Sequence, residues 1–457
     1  MNKILLLLFV PFVFCTAVSA QITQKEADAI VLEQMRQDTA SYTIYAKADM
    51  QTGMTITTAA GEILEFDYSC WSYYISYADF GRYLIVNASN GNLLAINPKS
   101  NAAPEDLAEW RIVTPVSIIV TTLVGQSSAT EFNEGSFDEA TFLGFENPAT
   151  VGAGLVYLTV DDQYNIFACH QDNPSGIILV DQKNEMVKML LQTGGTPLSA
   201  NHRLSAPTVS TDGLVLVPAD GGDYADVYWE FDPNTQWEPQ TRNILHPTAE
   251  QQAEGITDFT INLYKHSLAY CPYDGMIYLR SNRDGYLIKF DPVTRVGQSV
   301  VINGVRQICN SANSDTYLVF DPIHPTRLYC SSSSQHCIHY FDILTGETGV
   351  YAGTVGQSGW RDGKKENALF YNPRQMVFDT KNNLVIADAG NNCIRRITPD
   401  GTVETMAGTP GKKGYQDGSA EDALFDNPWG LAIDKDGTIY VADTGNHCIR
   451  KIRYNNP

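Results

Sequence analysis

Basic residues are scarce: 31 Lys and Arg stand against 52 Asp and Glu, a formal charge of −21. So acidic a surface repels phosphate backbones, which excludes general nucleic-acid binding. Apart from one stretch at the N-terminus the chain has no long apolar run, so the mature protein is expected to lack a transmembrane segment. No Cys-x-x-Cys occurs among its nine cysteines, which removes a zinc ribbon and a thioredoxin-like redox site. No His-x-x-x-His, Gly-x-Ser-x-Gly elbow or phosphate loop is present either, so the familiar local signatures of a metalloprotease, a serine hydrolase or a nucleotide enzyme are missing. What the chain does have is 457 residues, 43% of them hydrophobic, which is material for two or more folded cores.

The first segment reads as an export signal. Lys3 precedes an apolar stretch from Ile4 to Phe14, and small residues lead to Ala20. Cleavage after Ala20 would leave an exported protein, in the periplasm, on the outer surface or secreted. A lipid anchor on Cys15 is the rival reading, and the bulk of Phe14 just before it argues against that. Of the remaining eight cysteines some could pair in an oxidising compartment, but a chain of this size does not depend on such staples.

Internal repetition carries most of the information. Ala368-Leu369-Phe370-Tyr371-Asn372-Pro373 recurs 55 residues on as Ala423-Leu424-Phe425-Asp426-Asn427-Pro428. Ile386-Ala387-Asp388 through Cys393-Ile394-Arg395 recurs as Val441-Ala442-Asp443 through Cys448-Ile449-Arg450 at the same offset. Each copy reads as short strands joined by tight turns, with Asp-Gly between β-branched residues as the hairpin signal. The same four-strand pattern runs upstream with less identity, giving six units, and the last lacks its fourth strand. The missing strand is found at the other end: Val120 to Gly125 matches Val403 to Gly408, and Glu134-Gly135 matches Asp417-Gly418. A first strand that completes the last unit closes a ring and removes its free edges. Residues 113–457 are therefore expected to form a six-bladed β-propeller.

Asn427-Pro428-Trp429-Gly430-Leu431, Asp436-Gly437-Thr438-Ile439-Tyr440-Val441-Ala442-Asp443 and Asn446-His447-Cys448-Ile449-Arg450-Lys451-Ile452 together resemble an NHL repeat. The linkers around Asp417-Gly418 and Ala423-Leu424-Phe425 resemble those of secreted NHL proteins of Bacteroidetes type. Cys393 and Cys448 depart from the Arg usual at that position. The resemblance implies a six-bladed, mainly β fold and most often a platform for proteins, RNA or glycans. A minority of related propellers are metal-dependent lactonases or lyases, and fold alone does not choose between these.

Residues 21–112 differ in character. Thr23-Gln24-Lys25-Glu26 is a capping box before the stripe Ala27, Ile30, Val31 and Met35. Strand-like runs follow, and the hairpin from Tyr83 to Leu94 gives this α+β domain a resemblance to PepSY-type modules. Trp71, Tyr73 and Tyr77 alternate along one strand and read as core rather than a sugar platform.

The long connections 126–154, 354–375 and 409–429 fall on one face of the expected disc, and loops of that length usually have work to do. They carry Trp360, Arg361, Tyr371, Arg374, Tyr415 and Trp429, a set suited to carbohydrate stacking or a protein hot spot. Capping of the blade tops is the plainer role for the same aromatics. Asp388 and Asp443 read as structural acceptors for the amides of the turns that follow them, and Asp362, Asp417 and Glu134 read as structural in the same way. Asp220 to Asp226 form an acidic turn without the ordered oxygen pattern of a calcium loop. Cys337, Cys393 and Cys448 recur at one blade position as small packing groups. Cys330 and Cys337 flank a turn and are the weaker candidates for a cross-strand disulfide.

No catalytic set, metal site or cofactor can be assembled from these residues. The expectation is an exported, non-catalytic binding or scaffold protein whose loop-rich face takes a glycan or a partner protein. The alternative is a metal-dependent hydrolase or lyase with its site at the central channel.

Overall fold

The computed structural model describes residues 23–455 apart from 36–41, 48, 53, 58–62, 67, 78–80, 97–110, 114–116, 128–131, 143–153, 172–174, 193–205, 211, 219–226, 260–266, 282–284 and 309–315. The signal-like segment, the acidic turn at 220–226 and the lipid-anchor candidate Cys15 thus lie wholly or largely outside the described residues. The chain divides into two compact units, one running through Val116 and the other comprising Ser117–Asn456.

In the first unit a helix, Gln24–Met35, opens on the capping box. The Thr23 amide donates to Glu26 Oε2 at 2.7 Å, and the Glu26 amide donates back to Thr23 Oγ1 at 3.3 Å. An antiparallel sheet follows in the order Leu93–Ile96, Gly81–Asn87, Cys70–Tyr77, Tyr42–Ala46, Arg111–Val113. Alternation along its strands sends Tyr73, Ile75, Leu84 and Val86 to one side, where they bury Ala27 and Val31 of the helix. Tyr73 is fully buried with its hydroxyl donating to Asp28, and Trp71 packs against the same cluster; the side chain of Tyr77 is outside the described residues.

The second unit holds six antiparallel sheets of four or five strands each. We name them blades one to six and letter their strands a to d from the centre outwards. Blade one is Leu155–Val160, Ile166–Gln171, Ser175–Asp181 and Met186–Gln192; blade two is Thr208–Val209, Val215–Pro218, Val227–Phe231 and Pro239–Asn243. Blade three is Leu268–Tyr270, Ile277–Arg280, Leu287–Phe290 and Gly297–Ser299; blade four is Leu318–Phe320, Arg327–Ser332, Cys337–Asp342 and Thr348–Ala352. Blade five is Pro373–Phe378, Leu384–Asp388, Cys393–Ile397 and Thr402–Ala407. Blade six takes Pro428–Ile433, Ile439–Asp443 and Cys448–Asn455 from the end of the chain and Ser117–Gly125 from its beginning. There Val124 faces Ile449 and Thr121 faces Lys451, so the ring is locked head to tail. The a strands touch in succession from blade one to blade six and back to blade one, and side chains from both faces of every sheet fill the seams between blades.

Candidate functional site

A linker motif, aromatic-x-acid-Gly, occurs three times: Phe132 to Gly135, Trp360 to Gly363 and Tyr415 to Gly418. Its cause is a bulge. Strand d slips register where Ile177, Ile394 and Ile449 give way to the next residue, and this frees one amide of strand d from the ladder. The linker acid takes that amide. Glu134 accepts from the Met189 N–H at 2.6 Å, Asp362 from Thr405 at 3.1 Å and Asp417 from Thr122 at 2.8 Å. The aromatic two residues earlier lands on the same outer strand. Trp360 Nε1 donates to Thr405 Oγ1 at 3.0 Å, and the Tyr415 hydroxyl meets Thr122 Oγ1 at 2.9 Å. Both rings stay about half exposed, at 51% and 45%, and are held in place at their polar ends. Arg361 is exposed between Trp360 and Asp362, and Tyr371, also exposed, stands edge-on to His336 at 5.5 Å.

The acids beneath these rings belong to a buried network. Asp388 accepts from the Tyr371 amide at 2.8 Å, Asn391 Nδ2 at 2.8 Å and Arg395 Nη1 at 2.9 Å, and Arg395 Nη2 reaches Asp362 at 2.5 Å. Asp443 repeats the pattern with the Asp426 amide, Asn446 and Arg450, and Arg450 reaches Asp417 at 2.6 Å. The structural reading of Asp388 and Asp443 stands, but their partners differ from the expectation. Neither caps the turn that follows it. Each instead anchors the preceding linker and neutralises a buried arginine. Burial pushes Asp388 up to about 6 and Asp443 up to about 7, with the arginines pulling the other way.

Arg374 and Trp429 correct the expected surface. They are brought together, with the guanidinium 3.9 Å from the indole centroid, yet only 6% and 4% exposed. Trp429 packs near Tyr157 and Tyr317 in a cluster that joins several blades at the start of the a strands. Burial by blades distant in sequence has turned these two from stacking platform into core. The disulfide candidates are corrected as well: Cys330 and Cys337 are separate buried thiols. Cys330 faces His339 and Cys337 faces Ser332, so the pair lies diagonally rather than opposite. Burial pushes the Cys337 thiol up to about 12 and holds Cys393 and Cys448 well above the ordinary value, which leaves them protonated packing groups.

A cavity of about 350 Å³ lies where the a strands meet. Every blade contributes, from Leu158–Val160 through Thr208, Ser267, Leu318 and Gln375 to Leu431–Ile433. A strands are inner edges, so some of their amides point at the axis and must be met there. Gln375 meets three such groups: its Oε1 accepts from Leu158 at 3.2 Å and Leu431 at 3.1 Å, and its Nε2 donates to the Leu158 carbonyl at 2.7 Å. Ser267 Oγ accepts from the Leu318 amide at 2.9 Å. Sequence reading passed over Gln375, although a signal was there: the matching residue of the next copy is Gly430. A Cβ on Gly430 would lie 2.6 Å from the Val156 carbonyl oxygen, so blade six needs its glycine where blade five uses a glutamine to bridge blades. Among the described residues the lining contains no Asp, Glu, His, Cys, Lys or Arg. Among the described residues no group of three or more His, Cys, Asp or Glu is placed to hold a metal ion.

The NHL repeat family model matches residues 425–452, which hold strands a and b and most of strand c of blade six. "Protein SUPPRESSOR OF QUENCHING 1, chloroplastic" of Arabidopsis thaliana is 43% identical over 135 residues, 28% of this chain and 13% of that protein. Human NHL repeat-containing protein 2 is 35% identical over 98 residues, 21% of this chain and 13% of its own length. The chain thus spans only a small part of the curated relatives it matches. Among solved structures, a Bacteroides thetaiotaomicron protein described as an auxiliary nutrient binding protein superposes with a TM-score of 0.60 at 18% identity, covering 91% of this chain and 95% of its own. A Bacteroides ovatus protein of the same description gives 0.58 at 19% identity, covering 84% and 94%. These likenesses establish the mainly β, NHL-type propeller fold. No helix among the described residues is long and apolar enough to cross a membrane.

Proposed function

We propose that the protein is an exported, non-catalytic binding protein whose blade connections present Trp360, Arg361, Tyr371 and Tyr415 to a glycan or a partner protein. One observation carries the reading: Trp360 and Tyr415 are exposed while their polar edges are tied to Thr405 and Thr122 of successive blades. An aromatic ring held rigid at the surface binds without losing much side-chain freedom, which suits both sugar stacking and protein hot spots. The auxiliary nutrient binding proteins among the fold neighbours accord with this role. In the same reading residues 1–20 are a signal peptide cut near Ala20, residues 21–112 form a PepSY-like module, and residues 113–457 are the propeller of a Bacteroidetes-type secreted protein.

The alternative, a metal-dependent hydrolase or lyase at the channel, does not fit the lining. Among the described residues, hydroxyl, amide and backbone oxygens alone would have to hold a divalent cation there, without one carboxylate or imidazole. A glycan array and a pull-down comparing wild type with Trp360→Ala plus Tyr415→Ala test the proposal. Both positions are surface ones, so the melting temperature should hold while binding falls by roughly tenfold or more. Full retention of binding by the double variant rejects this face.

A further inference from the structure

The central cavity has two features that the proposed glycan or protein face does not use. Its volume, about 350 Å³, falls in the range of small-molecule sites. Among the described residues its wall is uncharged: Leu, Val, Ala, Pro, Phe and Met are the most numerous, and Thr, Ser, Tyr and Gln side chains with backbone groups of the a strands supply its polar part. Gln375 and Ser267 already answer inward-pointing backbone groups of Leu158, Leu431 and Leu318, which reduces the demand of the wall for a polar guest.

The lining also shows which way the cavity opens. It runs from mid-strand at Gln375 to Pro272 and Pro322, which sit in the a–b turns of blades three and four. The next residues in those turns, Tyr273 and Ile323, are 54% and 62% exposed. The c–d turns of the same two blades reach the same face and end in Val293 and Leu344, at 83% and 54%. The other blades place polar residues at these positions: Gln163, Asp212, Lys381 and Asp436 in a–b turns, Lys183 and Asn234 in c–d turns. Among the described residues compared, apolar side chains hold these turn positions in blades three and four, whose Pro272 and Pro322 line the cavity.

We propose that this cavity takes an uncharged, mainly apolar small molecule, which enters from the a–b turn face across the rim of blades three and four. An ionised ligand would be buried against a wall that offers no opposite charge among its described residues, at a large desolvation cost. A neutral one gains from leaving water against the apolar part of the wall.

The full chain is titrated with the neutral fluorophore N-phenylnaphthylamine and, separately, with its anionic relative anilinonaphthalene sulfonate. The expected result is saturable uptake of the neutral probe at one site per chain, with the sulfonate weaker by roughly tenfold or more. Thr159→Trp and Thr208→Trp fill the cavity from two different blades, and each should lower neutral-probe affinity by about tenfold. Tyr273→Asp plus Ile323→Asp alters only exposed turn positions, so folding is secure, and it should weaken the probe several-fold. Absence of saturable binding, equal affinity for the sulfonate, or full binding by the folded filling variants together with the rim variant overturns the proposal. The assay reads neither Trp360 nor Tyr415, so failure here is distinguishable from failure of the surface proposed above.

Discussion

Blades five and six can be set against blades one and four, because the same backbone position is filled by three different chemistries. Where strand b ends, blades five and six place Asp388 and Asp443; blade one has His170 and blade four Ser332. Just past the bulge in strand c the residues are Arg395 and Arg450, then Ile178 and His339. The bulge is common to all four, so the backbone does not require the ion pair. Glu134 still caps the freed amide in blade one, where Ile178 stands in place of the arginine. What the Asp–Arg sets add is a fixed linker, since each Asp holds an amide of the incoming connection and each Arg holds its carbonyls. The family model matches blade six, one of the two blades with the complete set.

The largest effect should come from breaking that network on one side. Arg450→Ile leaves Asp443 fully buried without its cation and should cost about 3–5 kcal/mol in chemical denaturation. Adding Asp443→His recreates the pairing of blade one and should restore at least half of the loss. A double variant as unstable as the single one would mean that blade six cannot adopt the solution of blade one. A middle-sized effect is expected at the axis. Gln375→Ala removes the partner of three backbone groups from blades one and six and should cost about 1–3 kcal/mol. If denaturation midpoints barely move, the bridging role assigned to Gln375 is wrong.

Ring closure and the strand pattern were legible because they depend on register, which a repeat displays directly: Val120 to Gly125 matches Val403 to Gly408 and pairs where that match requires. The capping box at Thr23 is equally local. Burial near the axis was not legible. Whether Arg374 and Trp429 are surface or core is decided by Tyr157 and Tyr317, contributed by blades that share little sequence with blades five and six. Likewise Gln375 acts on Leu158, 217 positions away. The partners of Asp388 were hidden for a related reason: a repeat shows that an acid recurs, but not that a preceding linker folds back to meet it.

The smallest effect separates blade four from blade five at one joint. The linker amide of Asn372 donates to His336 Nδ1 at 3.3 Å, and the matching amide of Asn427 donates to Asn392 Oδ1 at 2.8 Å. His336 and Asn392 both adopt left-handed backbone at the end of the b–c turn, so they are interchangeable in shape but not in protonation. As an acceptor through Nδ1, His336 must lack a proton there, and burial lowers its pKa below the ordinary value. The unfolded chain therefore binds more protons than the fold as pH falls through the normal histidine range, and stability must decline in that direction. His339, half-buried nearby and shifted the same way, adds to the decline. His336→Asn copies the joint of blade five and should make the loss of stability between neutral and mildly acidic pH shallower without removing it, leaving the share of His339. Denaturation midpoints measured across that range check this: an unchanged slope would show that His336 takes up its proton equally in the folded and unfolded chain, so that the joint does not depend on its protonation.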